Sequence, residues 1–135
     1  MSFVLDNSVV VGWFLVDQAT PYTDTVALRL EREQAVVPAL WQLEFANVLR
    51  TACKRQRLSP IQAGQIAEQI ERLPILVDTA APGSARLLAL ALEYNLSSYD
   101  AAYLELALRL RMPVASKDEA LLTAAVAAGV GIVGV

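Results

Sequence analysis

The chain has 135 residues, 56% of them hydrophobic, with 14 acidic and 11 basic side chains for a net charge of −3. That length holds one domain with a real core, and no apolar run approaches the roughly 20 residues a membrane helix needs. Histidine is absent and Cys53 is the only cysteine, which excludes His-based acid–base catalysis, the Ser–His triad, most zinc sites and an intrachain disulfide, and fits a reducing cytoplasm. No basic stretch precedes an apolar one at the N-terminus, so no signal peptide is expected. A net negative chain that met a nucleic acid would need a local basic patch. Mean hydropathy is high at +0.43, and the excess is expected to go into a buried sheet and a subunit interface.

Taken in order, Phe3-Val4-Leu5 is an apolar strand that ends on Asp6, and a short helix follows Ser8 through about Val16. The first strand of an open α/β sheet usually lies deep, and functional groups collect at strand carboxyl ends, which is where Asp6 stands. The plain alternative for Asp6 is a helix cap, a role for which Ser8 is already placed. Thr20-Pro21 reads as cap plus first helical position and opens a helix through Glu33; Ala35-Val36-Val37 is a second strand closed by Pro38.

From Trp41 to Cys53 the residues Trp41, Phe45, Val48, Leu49 and Ala52 recur at the helical period and define a buried face. Glu44 stands at the edge of that face, with Asn47 and Thr51 continuing its polar margin. A carboxylate so near the core needs a partner; the alternative is a half-exposed Glu beside an Arg. The densest basic run of the chain, Lys54-Arg55-Gln56-Arg57, comes next. Ser59-Pro60 starts another helix with Ile66, Ile70 and Leu73 buried, Pro74 ends it, and Ile75-Leu76-Val77 is a third strand. Pro82 to Tyr94 is a Leu- and Ala-rich helix with Arg86 as its lone cation, and Ser98 is placed to cap the helix Tyr99–Leu110.

That last helix is apolar almost all round. Glu105 and Arg109, an i,i+4 pair, mark its solvent side, whereas Asp100 faces inward with Leu104 and Ala107. An Asp in a first turn favours the positive helix end, but inward orientation is what that account explains badly. Pro113-Val114-Ala115-Ser116 is a fourth strand, after which Asp118 repeats the position of Asp6 at a strand's carboxyl end, with capping again as the alternative. Leu121, Leu122, Ala125 and Val126 face inward on the final helix, Gly129 stops it, and Ile132–Val135 is a candidate edge strand.

Strands alternating with helices predict an α/β fold, a three-layer α/β/α domain over residues 1–135 with a mainly parallel sheet of four to five strands. Asp6, Glu44, Asp100 and Asp118 can then meet above the sheet's carboxyl edge. Like charges repel and burial disfavours each ion further, a problem that a hard divalent cation with oxygen ligands removes. Mg²⁺ or Mn²⁺ in such a site polarises phosphoryl oxygens and acidifies bound water, so the chemistry inferred is metal-assisted phosphodiester hydrolysis.

Four segments carry a family resemblance: Val4-Leu5-Asp6-Asn7-Ser8, Pro38 to Leu49 around Glu44, Leu96 to Ala107 around Asp100, and Val114 to Leu121 around Asp118. In order and separation they resemble a PIN domain, and most closely the VapC-type toxin ribonucleases of toxin–antitoxin pairs. The resemblance implies that Asp6, Glu44, Asp100 and Asp118 bind Mg²⁺ or Mn²⁺, Asp118 standing at the fourth position, which in the family often acts through water. It gives Ser8 the family's small hydroxyl position and puts Ser116, where the family often has Thr, two residues before the last acid. It further implies an endoribonuclease, a homodimer, and a small VapB-like antitoxin that wraps the toxin and blocks the site. Lys54, Arg55, Arg57, Arg86 and Lys117 are the candidates for holding RNA phosphates.

Two other readings stay open at this point. A receiver-type or phosphoryl-transfer domain would use Asp78, at the end of the third strand, with Lys117 after the fourth; against it, Asp6 lacks an adjacent acidic partner, and Ser8 stands where an Asp-x-Asp motif has its second acid. A non-catalytic interaction module is the third reading, and the intact acids argue against it.

Overall fold

The computed structural model describes residues 2–134. Its four strands are β1 (Ser2–Leu5), β2 (Gln34–Pro38), β3 (Ile75–Asp78) and β4 (Val114–Ala115). They run parallel in the order β3-β2-β1-β4. The interior strand β1 is a continuous apolar run because both its faces are covered; Phe3, Val4 and Leu5 are fully buried, as are Val114 and Ala115 beside them. The sheet is therefore the parallel, helix-covered one that the alternation of patterns predicts.

The helices are α1 (Asn7–Val11), α2 (Pro21–Arg29), α3 (Leu40–Lys54), α4 (Pro60–Glu71), α5 (Ser84–Tyr94), α6 (Ser98–Leu110) and α7 (Glu119–Ala127), with one 3₁₀ turn at Val16–Gln18. Right-handed crossovers send β1→β2→β3 one way across the sheet and β3→β4 back the other way, which puts α1–α4 over one face and α5–α6 over the other. The packing agrees: α3 rests on α1 and α4, while α6 rests on α5, α7, β1, β2 and β4. No helix among the described residues is long and apolar enough to cross a membrane.

Several boundaries differ from the sequence reading. The first helix stops at Val11, and the chain turns through Gly12 instead of continuing to Val16. A Cβ on Gly12 would lie 2.7 Å from Cγ2 of Thr23 and 2.9 Å from the Gln18 carbonyl, so glycine is what lets α1 close onto α2. Helix α2 ends at Arg29, not Glu33, where Arg29 binds Glu33 across one turn (2.8 Å). Its start is as expected: Thr20 and Thr23 form a reciprocal capping pair ahead of Pro21, as Ser59 and Gln62 do ahead of Pro60. Ser97, not Ser98, caps α6 by accepting the Asp100 N–H at 3.1 Å. The last edge strand reduces to a bridge between Val114 and Ile132, and Val135 lies outside the described residues.

Candidate active site

Asp6 is the last residue before α1, immediately past the carboxyl end of β1. The parallel register of β1 and β4 pairs Leu5 with Ala115, and the Asp6 N–H bonds the Ala115 carbonyl at 2.9 Å. Ser116 is thereby brought beside Asp6 by the ladder itself. Its Oγ donates to Asp6 Oδ2 at 2.7 Å, and Ser8 Oγ donates to the same oxygen at 2.7 Å. Ser8 is thus not the cap of α1 that the sequence suggested. It lies inside the helix, and its hydroxyl orients the carboxylate and accepts the Lys117 N–H at 2.9 Å. Asp6 occupies the cap position but makes no capping bond with its side chain, because that side chain is committed to the two serines.

The other three acids arrive on separate elements. Glu44 lies on the second turn of α3, which begins one residue after β2 ends. Tyr103, fully buried on α6, donates its hydroxyl to Glu44 Oε1 at 2.6 Å. Asp100 lies in the first turn of α6, one turn before Tyr103. Asp118 caps α7, its Oδ1 accepting the N–H groups of Ala120 (2.9 Å) and Leu121 (3.3 Å). The capping role that was the alternative for Asp118 is therefore real, and it occupies one oxygen only.

Electrostatics link the four. Burial pushes the Asp6 carboxyl above its ordinary range, against the Ser116 and Ser8 hydroxyls, and Asp118 adds repulsion. Burial also raises Glu44, opposed by Tyr103 and reinforced by Asp6. Asp100 is pushed from 3.8 up to about 6, first by burial, then by the charges of Asp118, Asp6 and Glu44 and by a hydrogen bond with Asp118 that requires a proton. No Lys or Arg enters any of these balances as an opposing charge. Among the described residues no three acids stand close enough together, as placed, to hold a metal ion between them. An all-oxygen, electron-rich and open arrangement suits a hard divalent cation that keeps several of its waters, and the donor set contains nothing that favours a softer metal.

The remaining predicted residues scatter. Asn47 is exposed and, among the described residues, makes no hydrogen bond with the acids; it lines a cavity of about 260 Å³ with Val11, Gln18, Thr51, Arg55 and Arg57. Arg57 is already paired with Asp17 at 2.6 Å. Lys54 is exposed at the end of α3. Lys117 sends its Nζ to the Gln18 carbonyl at 2.8 Å, beside that cavity. Arg86 is exposed on α5, over the opposite face of the sheet. The structure thus gathers Arg55, Arg57 and Lys117 around Gln18 and leaves Arg86 apart.

Two readings need correction. Glu105 does not mark a solvent side: it is buried, 7% exposed, and Arg109 grips it bidentately through one guanidinium edge (Nε to Oε2 2.9 Å, Nη2 to Oε1 3.0 Å). Arg109 Nη2 also holds Asp78 Oδ2 at 2.7 Å. Asp78, the residue a receiver-type domain would phosphorylate, is therefore engaged in an ion pair. Tyr103 is the site residue that the sequence reading passed over as one more apolar position; its only signal was a hydroxyl on an otherwise apolar helix, one turn after Asp100.

Comparison with known proteins gives a family and a fold. The family model described as "PIN domain" matches residues 3–127. Ribonuclease VapC1 of Mycobacterium tuberculosis, in strain CDC 1551 / Oshkosh and in strain ATCC 25618 / H37Rv, is 31% identical over 125 residues, covering 89% of this chain and 92% of the relative. The crystal structure of PAE2754 from Pyrobaculum aerophilum superposes with a TM-score of 0.73 at 17% identity, over 92% of this chain and 84% of that one, a likeness of fold.

Proposed function

This chain belongs to the PIN-domain family, and from that premise we propose that it is a Mg²⁺- or Mn²⁺-dependent endoribonuclease of the VapC toxin type, held inactive by a VapB-like antitoxin. The observation that carries the proposal is the group of four acids, Asp6, Glu44, Asp100 and Asp118, brought from β1, α3, α6 and β4–α7 to one edge of the sheet. Their mutual repulsion, with no opposing Lys or Arg, supports a role in cation binding. The 31% identity to a protein named a ribonuclease supports RNA as the substrate.

Asp6 and Asp100 are the principal ligands in this reading. Glu44 would contribute the oxygen that Tyr103 leaves free, and Asp118, with one oxygen capping α7, would act through water. Such a cation supplies positive charge to the scissile phosphate and lowers the pKa of bound water. The residues of the chain do the rest. Ser8 and Ser116 fix the Asp6 carboxylate so that binding costs little reorganisation. Arg55 and Arg57, at the C-terminal end of α3, and Lys117, at the β4–α7 junction, would supply phosphate contacts that give affinity without sequence choice. Lys54 can extend that patch; Arg86 on α5 would serve a longer RNA only.

The exposed apolar side chains Leu88 and Leu92 on α5 and Tyr99 on α6 form a surface that a second copy would cover, which supports the homodimer part of the proposal. The deciding experiment is cleavage of a labelled structured RNA by the purified chain, with Mg²⁺ or Mn²⁺, with EDTA, and with Asp100→Asn. Cleavage that requires both metal and Asp100 is expected. Cleavage that persists in EDTA or in the variant would overturn the four-acid mechanism.

A further inference from the structure

Glu44 is the one acid of the four whose approach is controlled by a side chain with no place in the proposed chemistry. Tyr103 is 0% exposed, and its hydroxyl lies 2.6 Å from Glu44 Oε1. It stands three residues after Asp100, so one face of α6 presents both an acid and the clamp on the acid opposite it. The bond joins α6 to α3, elements on opposite faces of the sheet whose junction is the carboxyl edge itself. No other side chain hydrogen-bonds the Glu44 carboxylate among the described residues.

A glutamate has three rotatable bonds, and a half-buried one left unheld would sample rotamers that point its carboxylate away from a ligand. A phenol donor to one carboxylate oxygen is a short, charge-assisted bond. It fixes the plane of the group and leaves Oε2 as the oxygen free to bind. We infer that Tyr103 is a positioning residue for cation binding, which orders Glu44 so that Oε2 faces the space shared with Asp6 and Asp100. The inference rests on the reading of Glu44 as a metal ligand, and it adds that this ligand is preorganised from α6 by a tyrosine.

The test is a double-mutant cycle read by Mn²⁺ binding to the RNA-free protein, followed by electron paramagnetic resonance. Tyr103→Phe keeps the ring and is expected to weaken Mn²⁺ binding about tenfold, as the loss of a hydrogen bond that orients a metal ligand does. Cleavage should fall at limiting Mn²⁺ and recover largely at saturating Mn²⁺. Glu44→Gln is expected to weaken binding further, and adding Tyr103→Phe to it should change nothing more. Unchanged binding in Glu44→Gln would overturn the reading of Glu44 as a ligand. Weakened binding in Glu44→Gln with no effect of Tyr103→Phe, or with additive effects in the double variant, would overturn the positioning role alone. A measurement on the unaltered chain covers failure of a variant to fold. The buried Tyr103 hydroxyl proton should shift in the NMR spectrum on Mg²⁺ titration, saturating with the binding curve; a resonance that does not move would refute the inference.

Discussion

Helix α6 carries two acids into the interior, and their surroundings differ in kind. Glu105 is met by Arg109, which also takes Asp78, so two carboxylates share one guanidinium in a closed set of hydrogen bonds. Asp100, five residues earlier, meets three more carboxylates and no cation. Both clusters hold carboxylates at buried or half-buried positions, yet only one is neutralised by the chain itself. A buried ion pair completed within the protein is a structural device, whereas a group of buried and half-buried anions left uncompensated raises the free energy of the fold. Such a cost persists where an external cation repays it, and that contrast is the strongest argument for placing the chemistry at Asp100.

Single substitutions at the two places should have the largest effects, and of opposite sign. Asp100→Asn is expected to lower RNA cleavage by at least about 100-fold, the upper end for metal-site substitutions outside the ligand set, while raising thermal stability in metal-free buffer at pH 7. A variant that lost stability instead would remove the case for repulsion at the site. Arg109→Met should act in the opposite sense. It leaves Glu105 buried and unpaired, with an expected loss of about 3 kcal/mol in chemical denaturation, and cleavage per folded molecule should be unchanged. Glu105→Gln added to Arg109→Met should recover much of that loss, since the buried charge is gone.

pH offers a finer distinction. Asp100 has a folded-state pKa of about 6 against an ordinary 3.8. Between those values the folded chain binds more protons than the unfolded one, so stability must fall as pH rises from about 4 to about 6. With allowance for solvent screening, the change is about 1–2 kcal/mol. Melting curves across that window in EDTA should show the slope, Asp100→Asn should reduce it, and millimolar Mg²⁺ should offset it by favouring the ionised acids. A flat profile in EDTA would count against the crowding. The smallest effect belongs to the exposed pair Arg57–Asp17: Asp17→Ala should cost under about 1 kcal/mol and, by freeing Arg57, tighten RNA binding slightly in a low-salt filter assay.

Much of the site was legible along the chain because each acid follows a recognisable boundary. Asp6 and Asp118 stand past apolar strands, Glu44 interrupts a helical apolar face, and Asp100 opens a helix with almost no polar residues. Periodicity also placed the sheet, since strands covered on both faces read as continuous apolar runs. What failed were readings of local polarity. Ser8 was credited with a cap because capping is what a serine near a helix start does on its own; its real partner, Asp6, draws it away together with Ser116, 108 residues later in the chain. Glu105 reads as solvent-facing because nothing nearby in sequence reveals that Asp78 completes its ion pair from β3.

The sequence by itself determined the order of strands and helices along the chain and the parallel character of the sheet, and it offered the four acids as candidates, since these follow from hydrophobic period and from residues adjacent in the chain. Only the tertiary structure decided which polar groups serve those acids. Ser116 reaches Asp6 through the β1–β4 register, Tyr103 reaches Glu44 from another helix, and Arg109 takes Glu105 and Asp78 out of contention. Hydrogen bonds and ion pairs act over about 3 Å, and the distances that matter at that scale are set by how distant segments pack, which no local pattern encodes.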